Sequence, residues 1–461
     1  MSKPVDNPRN LCFHMLTEVF ENQSYSNLVI QNMLHHSSLT CKDKSFAVAL
    51  FYGTITRLYT LDYYLARALH QKIDTLDPAV RTILRMGVWQ ILYAHSVPSF
   101  AAVDQMVSLS GIHTHEGGVR LVNAVLRAIS RDYDSGKIEP EKSRFDVRYS
   151  LPKELSGCLI KWYGQERAEA IAEAYLQDAA ITARVNIKKT TPADLVVLLA
   201  DEGVTASPGL FMDEAVRLQL EGKSIRDLVS FDRGLFMIQD EAAMLASHLM
   251  SVQPGDRVLD VCAAPGGKSC HMAERMNNQG YILAIDIHAS RLELIAQNAN
   301  RLGLTCIETK AADAETLIDT MPEQIGSFDD VLVDVPCSGL GLLLRKPDIR
   351  MSMTYQKMQE LILLQERILQ QASAFVAPGG TLLYSTCTIN PHENEEQAKK
   401  FLANNNTFEA YPFGDILPSR LAELADTFMS DAARGSLQLL PDVVACDGFY
   451  MARFRRKQYD A

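Results

Sequence analysis

The sequence has no apolar run approaching the roughly 18 residues that a membrane-spanning helix requires, and its opening stretch, MSKPVDNPRN, lacks the apolar core of a secretory leader. A soluble, cytosolic protein with no membrane partner is therefore expected. No CxxC pair occurs among its nine cysteines, an odd number scattered along the chain, which argues against a disulfide framework and a zinc knuckle. Free thiols are expected, and no metal site is read. Glycine is sparse, at 25 of 461 residues, and with 47% hydrophobic and 22% charged residues the chain reads as folded throughout. It is too long for one core, so two or three domains are expected. An excess of positive charge is also missing. The net charge is −11, which excludes a wholesale electrostatic grip on nucleic acid.

That charge is uneven. Residues 1–150 carry 16 Lys and Arg against 14 Asp and Glu, leaving −13 for the remainder. Any nucleic-acid surface must be local, and the candidates are RFRRK (453–457), LRKPDIR (344–350), Arg120, Arg127 and Arg131. Ordinary solvated charge explains each of them equally well.

Apolar residues at three- and four-residue steps run almost without interruption to about residue 135, in LCFHMLTEVF, FAVALFYGTITRLYTLDYYLARAL, AVRTILRMGVWQILYA, AAVDQMVSLSGI and GGVRLVNAVLRAI. This predicts an all-helical domain over 1–135. The polar, turn-rich stretch 130–146 serves as a linker. Residues 147–230 mix helix (GQERAEAIAEAYLQDA) with strand (AITARVNI) and predict a small α+β connector. From 231 to 461 the rhythm becomes strand, glycine turn, helix, strand, which predicts an α/β domain with a parallel, doubly wound sheet. Ligands of such sheets bind beyond the carboxyl ends of the strands.

The residues at those ends are informative. APGGKS resembles the end of a phosphate loop, but the glycine that should open the loop is Cys262, so a nucleotide triphosphatase is excluded. A strand ending in Asp260 and followed by small residues and two glycines suits a nucleoside-type cofactor, whose atoms can approach the bare backbone. Asp286, Asp313 and Asp334 close the next three strands. Taken singly, each aspartate suits a helix cap or a turn equally well. Cys337 in DVPCSGLG and Cys387 in YSTCT end the fourth and fifth strands, so the sheet would bring both thiols to the rim of one cleft.

DVCAAPGGKS, DVPCSGLG and YSTCTINPHENE, flanked by MIQDEAAMLAS and DGFYMARF, resemble the motifs of the RNA 5-methylcytosine methyltransferases that use S-adenosylmethionine. This resemblance covers about residues 150 to 461. LRMGVWQILYAHSVPSFAAVDQMVSLS and RLVNAVLRAISR are similar to the NusB RNA-binding fold. Together they give the layout of the enzymes that methylate a cytosine of 16S ribosomal RNA.

The resemblance implies a Rossmann-like S-adenosylmethionine-dependent methyltransferase domain preceded by an all-α NusB-like domain and the connector. Cys387 is then the nucleophile toward carbon 6 of cytosine, Cys337 assists product release, and Asp334 contacts the base and the cofactor site. Cys262, Ala263, Ala264, Pro265, Gly266, Gly267 and Lys268 would surround the methionine and ribose, with Asp286 on the ribose hydroxyls and Asp313 near the adenine. TKAADAETL lacks the glycine that often follows this aspartate, and Lys268 is either structural or a partner of Asp334. The implied partner is 16S ribosomal RNA, free or in an early small-subunit particle, with no obligate protein partner. A transfer-RNA methyltransferase and a non-catalytic ribosome-assembly factor are the rival readings.

Overall fold

The helical pattern of the first third becomes seven helices in the computed structural model, which describes residues 7–458: Pro8–Phe20, Ser26–His35, Cys41–Thr56, Leu58–Ala68, Pro78–Tyr93, Ser99–His113 and Glu116–Asp134. The first six residues, part of the opening stretch read above, lie outside that range. Capping side chains start several of these helices. Asp77 accepts from the amides of Ala79 (2.9 Å) and Val80 (3.2 Å) just ahead of Pro78, whose missing N–H costs nothing at the first position. Phe13, Leu50, Phe51, Leu61, Ile83, Met106 and Leu126 share one core.

The apolar pattern over 46–69, read as one segment, is two helices, because Arg57 leaves the helical region (φ −97°, ψ 10°) and begins a new one. A break that preserves the apolar stripe is invisible to periodicity. The last long helix runs to Asp134, so the polar stretch 130–146 begins inside it.

This helical unit continues through Leu176 and takes in Arg345–Ser352. Arg350 is 1% exposed and donates to the carbonyls of Thr56 and Ser150 (3.3 Å for the latter), while its own carbonyl accepts from the Tyr59 hydroxyl at 3.1 Å. A buried guanidinium needs such partners. Arg350 therefore anchors its segment and presents no charge to RNA. Arg120 remains exposed beside Glu116.

The second unit holds the remaining residues and two sheets. In the smaller, β1 (Ile181–Val185), β2 (Thr205–Pro208), β3 (Ala215–Gln219) and β4 (Phe236–Ile238) pair antiparallel in the order β2-β3-β1-β4. Its strand β4 lies beyond Phe231, where the α/β rhythm begins.

The larger sheet contains β5 (Arg257–Val261), β6 (Tyr281–Asp286), β7 (Ile307–Ala311), β8 (Phe328–Asp334) and β9 (Val376–Thr386), all parallel. Three more strands, β10 (Phe408–Ala410), β11 (Ser436–Leu439) and β12 (Phe449–Arg456), extend it antiparallel beside β9, giving a mixed sheet rather than a wholly parallel one. Helices cover both faces of the parallel part, so its strands are continuous apolar runs: Ile282–Ile285, Val331–Val333 and Leu382–Tyr384 are all buried. Arg453 in β12 is only 6% exposed and lies over the Tyr411 ring at 4.0 Å, which removes it too from the RNA-facing candidates.

The two sheets are joined by a buried ion pair. Arg184 of β1 is 0% exposed and donates to Glu274 (2.8 and 3.1 Å), to the side chain of Gln239 and to the Gly267 carbonyl (2.8 Å). It thus grips both ends of the helix Gly267–Arg275. No helix among the described residues is long and apolar enough to cross a membrane. All nine cysteines are free thiols.

Candidate active site

The chain passes from β5 to β6 and β7 on one side of the sheet and then to β8 on the other. In open sheets of this kind ligands bind beyond the carboxyl ends of the strands at such a reversal, here those of β5 and β8. After β5 the backbone turns sharply through Cys262, Ala263, Ala264, Pro265 and Gly266 into the helix Gly267–Arg275. Gly266 has φ +93°, and a Cβ there would stand 3.0 Å from Ile295, so the position admits only glycine without strain. The carbonyl of Ile285 in β6 accepts from the Ala263 amide (2.8 Å) and that of Ala263 accepts from the Gly266 amide (2.8 Å), which fixes the turn. Burial, with the carboxylates of Asp334, Asp286 and Asp260 nearby, pushes the Cys262 thiol far up, so this cysteine stays neutral.

The four strand-end aspartates have separate surroundings. Asp260 is buried, accepts from the Ser269 hydroxyl at 2.5 Å, and is pushed up to about 7 by that burial. Asp286, also buried, accepts from the His288 amide (3.0 Å) and lies 3.3 Å from Arg291. Asp313 accepts from the Glu315 amide at 2.9 Å and caps the short turn Ala314–Thr316, the cap role that its sequence position allowed. Asp334 is held from both sides, by the Lys268 ammonium (2.7 Å) and the Ser385 hydroxyl (2.7 Å). Lys268 is therefore a partner of Asp334.

The raised Asp260 has a measurable consequence. A carboxyl with a folded pKa of about 7 and an unfolded one near 4 binds its proton more tightly in the folded state, so stability is lost as pH rises through that window. Asp260→Asn removes the ionisation. The melting temperature of the variant relative to the parent should rise between about pH 5 and pH 8, by the equivalent of at most about 3 kcal/mol. A difference that stays flat over that range, followed by calorimetry, contradicts the assignment.

The two thiols meet as expected from strand order. Cys337 follows β8, Cys387 follows β9, and their sulfurs are 3.2 Å apart. The hydrogen bond to Cys387, then burial, then the charges of Cys387 and Glu393 push the Cys337 thiol well up. Burial pulls Lys268 down, but Asp334 and the neighbouring Cys387 outweigh it, and the side chain stays an ammonium. That ammonium also lies 5.2 Å from the Phe449 ring centre.

Two contributors went unassigned in the sequence. Ser385 is the register partner of Asp334 across β8 and β9 and sits two residues before Cys387, in the strand that delivers it. Glu393, inside the HENE stretch, reaches back to the Cys337 loop, and no local pattern announces it.

Three family models match the chain: "16S rRNA methyltransferase RsmB/F" over residues 247–455, the NusB family over 6–131, and an RsmF/B-like ferredoxin-like domain over 151–223. A Bacillus subtilis protein described as a probable ribosomal RNA small subunit methyltransferase B is 35% identical, over 97% of this chain and 98% of its own length. A Synechocystis protein of the same description is 32% identical, over 97% and 99%. Among solved structures, PH0851 aligns with a TM-score of 0.81 at 22% identity, over 99% of this chain and 100% of its own. A methyltransferase homologue from Pyrococcus horikoshii aligns with a TM-score of 0.58 at 29% identity, over 69% of this chain and 100% of its own. The parallel sheet with its glycine turn, the NusB-type helical segment and near full-length kinship agree: the chain belongs to the RsmB/F family of 16S rRNA methyltransferases and is a methyltransferase.

Proposed function

We propose that this protein methylates carbon 5 of one cytosine in 16S ribosomal RNA through a covalent bond between the Cys387 sulfur and carbon 6 of the base. The observation that supports this reading best is the meeting of two thiols, 3.2 Å apart, with the Lys268–Asp334 pair at the carboxyl ends of β8 and β9.

Carbon 5 of cytosine is too electron-poor to attack a methyl donor unaided. Addition of the Cys387 thiolate to carbon 6 forms a carbon–sulfur bond and moves the ring electrons onto carbon 5, which becomes enamine-like. Asp334, with the Lys268 ammonium, faces the ring at N3 and the amino group and offsets charge that develops only after the thiol has added. Once carbon 5 carries the methyl group, its proton must leave to a base or water, and the electrons it leaves behind re-form the bond between carbons 5 and 6. The carbon–sulfur bond breaks, and the electrons return to Cys387.

The donor in this reading is S-adenosylmethionine, and the residues present fit it. The turn from Cys262 to Lys268 offers bare backbone, and Asp286 and Asp313 lie at the ends of the next two strands, where this reading puts the ribose and the adenine. When bound, the cofactor supplies an electrophilic methyl group on a sulfonium. The target cytosine must leave its stack to reach Cys387. Residues 1–135 would hold surrounding RNA, free or in an early small-subunit particle, by shape and phosphate contacts in the cytosol.

The test is methyl transfer from labelled S-adenosylmethionine to purified 16S ribosomal RNA and to total transfer RNA, mapped by bisulfite sequencing. One protected 16S cytosine is expected. Label confined to transfer RNA, or to neither, overturns the reading.

A further inference from the structure

The Glu393 carboxylate stands out among the buried charges of the second unit. It is 0% exposed, and no cation pairs with it among the described residues. Three donors converge on it instead: the Ser338 amide (2.8 Å) and the Gln365 side chain (2.9 Å) on one oxygen, and the Asn390 side chain (2.8 Å) on the other. An ionised carboxylate satisfies all three, whereas a protonated one would aim its O–H at another donor. Burying such a charge without a counter-ion is costly, so its partners must be well placed.

Their placement is specific. Ser338 immediately follows Cys337, and Asn390 lies three residues beyond Cys387. Gln365 comes from the helix Tyr355–Ser373 and also donates to the Pro336 carbonyl (3.0 Å), on the other side of Cys337. The Tyr384 hydroxyl donates to the Glu393 carbonyl at 2.6 Å, which fixes the carboxylate's own backbone to β9. The Ser338 and Thr388 hydroxyls, 2.7 Å apart, and the Gly341 amide on the Cys387 carbonyl (3.1 Å) close the remaining contacts between the two cysteine loops. A single anion thus braces the loop of one thiol against the loop of the other.

We propose that Glu393 is a positioning residue: its carboxylate holds the Cys337 loop against the Cys387 loop, so that the Cys337 sulfur stays in contact with the Cys387 sulfur. Glu393 touches neither sulfur and acts through the Ser338 amide and through its charge, which disfavours a second anion at Cys337. The consequence for turnover rests on the function proposed above, while the consequence for the thiols does not.

The experiment therefore reads the thiols alone. Full-length Glu393→Gln and Glu393→Asp are labelled with iodoacetamide across a range of pH, without RNA or cofactor, and each cysteine is quantified by peptide mass spectrometry. The amide of Glu393→Gln removes the charge and sets a donor against donors; Glu393→Asp keeps the charge but withdraws it from Ser338. Labelling of Cys337 should rise about ten-fold near pH 8 in both, with its profile shifted to lower pH in Glu393→Gln, because the thiol loses its enclosure and the opposing charge.

Cooperative melting and S-adenosylmethionine binding establish that the variants are folded. If either fails to fold, Thr388→Val, which removes the hydroxyl contact to Ser338 and the acceptor of the Asn390 amide (3.2 Å), should still raise Cys337 labelling by a few-fold. Cys337 labelling within about two-fold of the parent, with an unmoved profile, in folded variants overturns the proposal. If labelling rises as expected but methyl transfer to 16S ribosomal RNA is absent even in the parent, the positioning role stands and the proposed function fails. In an active enzyme the displaced loop should lower the rate about 100-fold with cofactor affinity unchanged.

Discussion

Cys387→Ala should abolish methyl transfer, with a loss of roughly four orders of magnitude, the scale on which covalent mechanisms lose their nucleophile. The base would still meet the Lys268–Asp334 pair, but no sulfur would reach carbon 6 and carbon 5 would stay electron-poor. Binding of S-adenosylmethionine should be unchanged, because Cys387 follows β9 while the glycine turn follows β5, with β8 between them. Single-turnover methyl transfer and equilibrium dialysis measure the two quantities separately. Turnover near the parent level contradicts the nucleophile assignment, and joint loss of cofactor binding assigns Cys387 to the cofactor site.

Cys337→Ala should have an effect of the opposite kind, accumulation of a protein–RNA adduct. In the proposed mechanism the Cys337 thiol, 3.2 Å from the Cys387 sulfur, would donate to the thiolate that forms when the carbon–sulfur bond breaks. Removing that donor makes Cys387 a poorer leaving group but leaves its attack and the methyl transfer in place. The adduct should appear as a slow band on denaturing gels at near-stoichiometric yield, with multiple turnover lost. Sustained multiple turnover without the band removes Cys337 from the release step. The Asp260→Asn melting comparison is independent of both results, since that carboxyl is buried behind the glycine turn.

Much of this site could be read from sequence because its parts are punctuation marks of a repeating unit. Each parallel strand is an apolar run ended by a residue of distinctive chemistry, so Asp260, Asp286, Asp334, Cys337 and Cys387 were placed at strand ends by pattern alone. Other features follow from long-range geometry. Arg184 grips Glu274 and the Gly267 carbonyl from a different sheet, and nothing near Arg184 in the sequence signals a buried guanidinium.

Arg350 and Arg453 read as surface charge and prove buried, because an arginine's neighbours in sequence do not reveal which carbonyls or rings it will meet in space. The three antiparallel strands beside β9 went unnoticed as an extension of the sheet, since short strands after a parallel run carry no rhythm of their own. Asp313 shows the converse limit: a cap and a ligand contact look identical in sequence, and its bond to the Glu315 amide is compatible with both.

The most direct measurement uses 16S ribosomal RNA carrying 5-fluorocytidine at the target position. Fluorine replaces the hydrogen that must leave carbon 5 as a proton, so once the methyl has moved the sulfur cannot be expelled. Incubation with S-adenosylmethionine, nuclease and protease digestion, and mass spectrometry should recover a methylated fluorocytidine on the peptide bearing Cys387. A nucleotide on Cys337 instead, or methylated ordinary RNA made by an enzyme that forms no bond to the fluorinated substrate, contradicts the account.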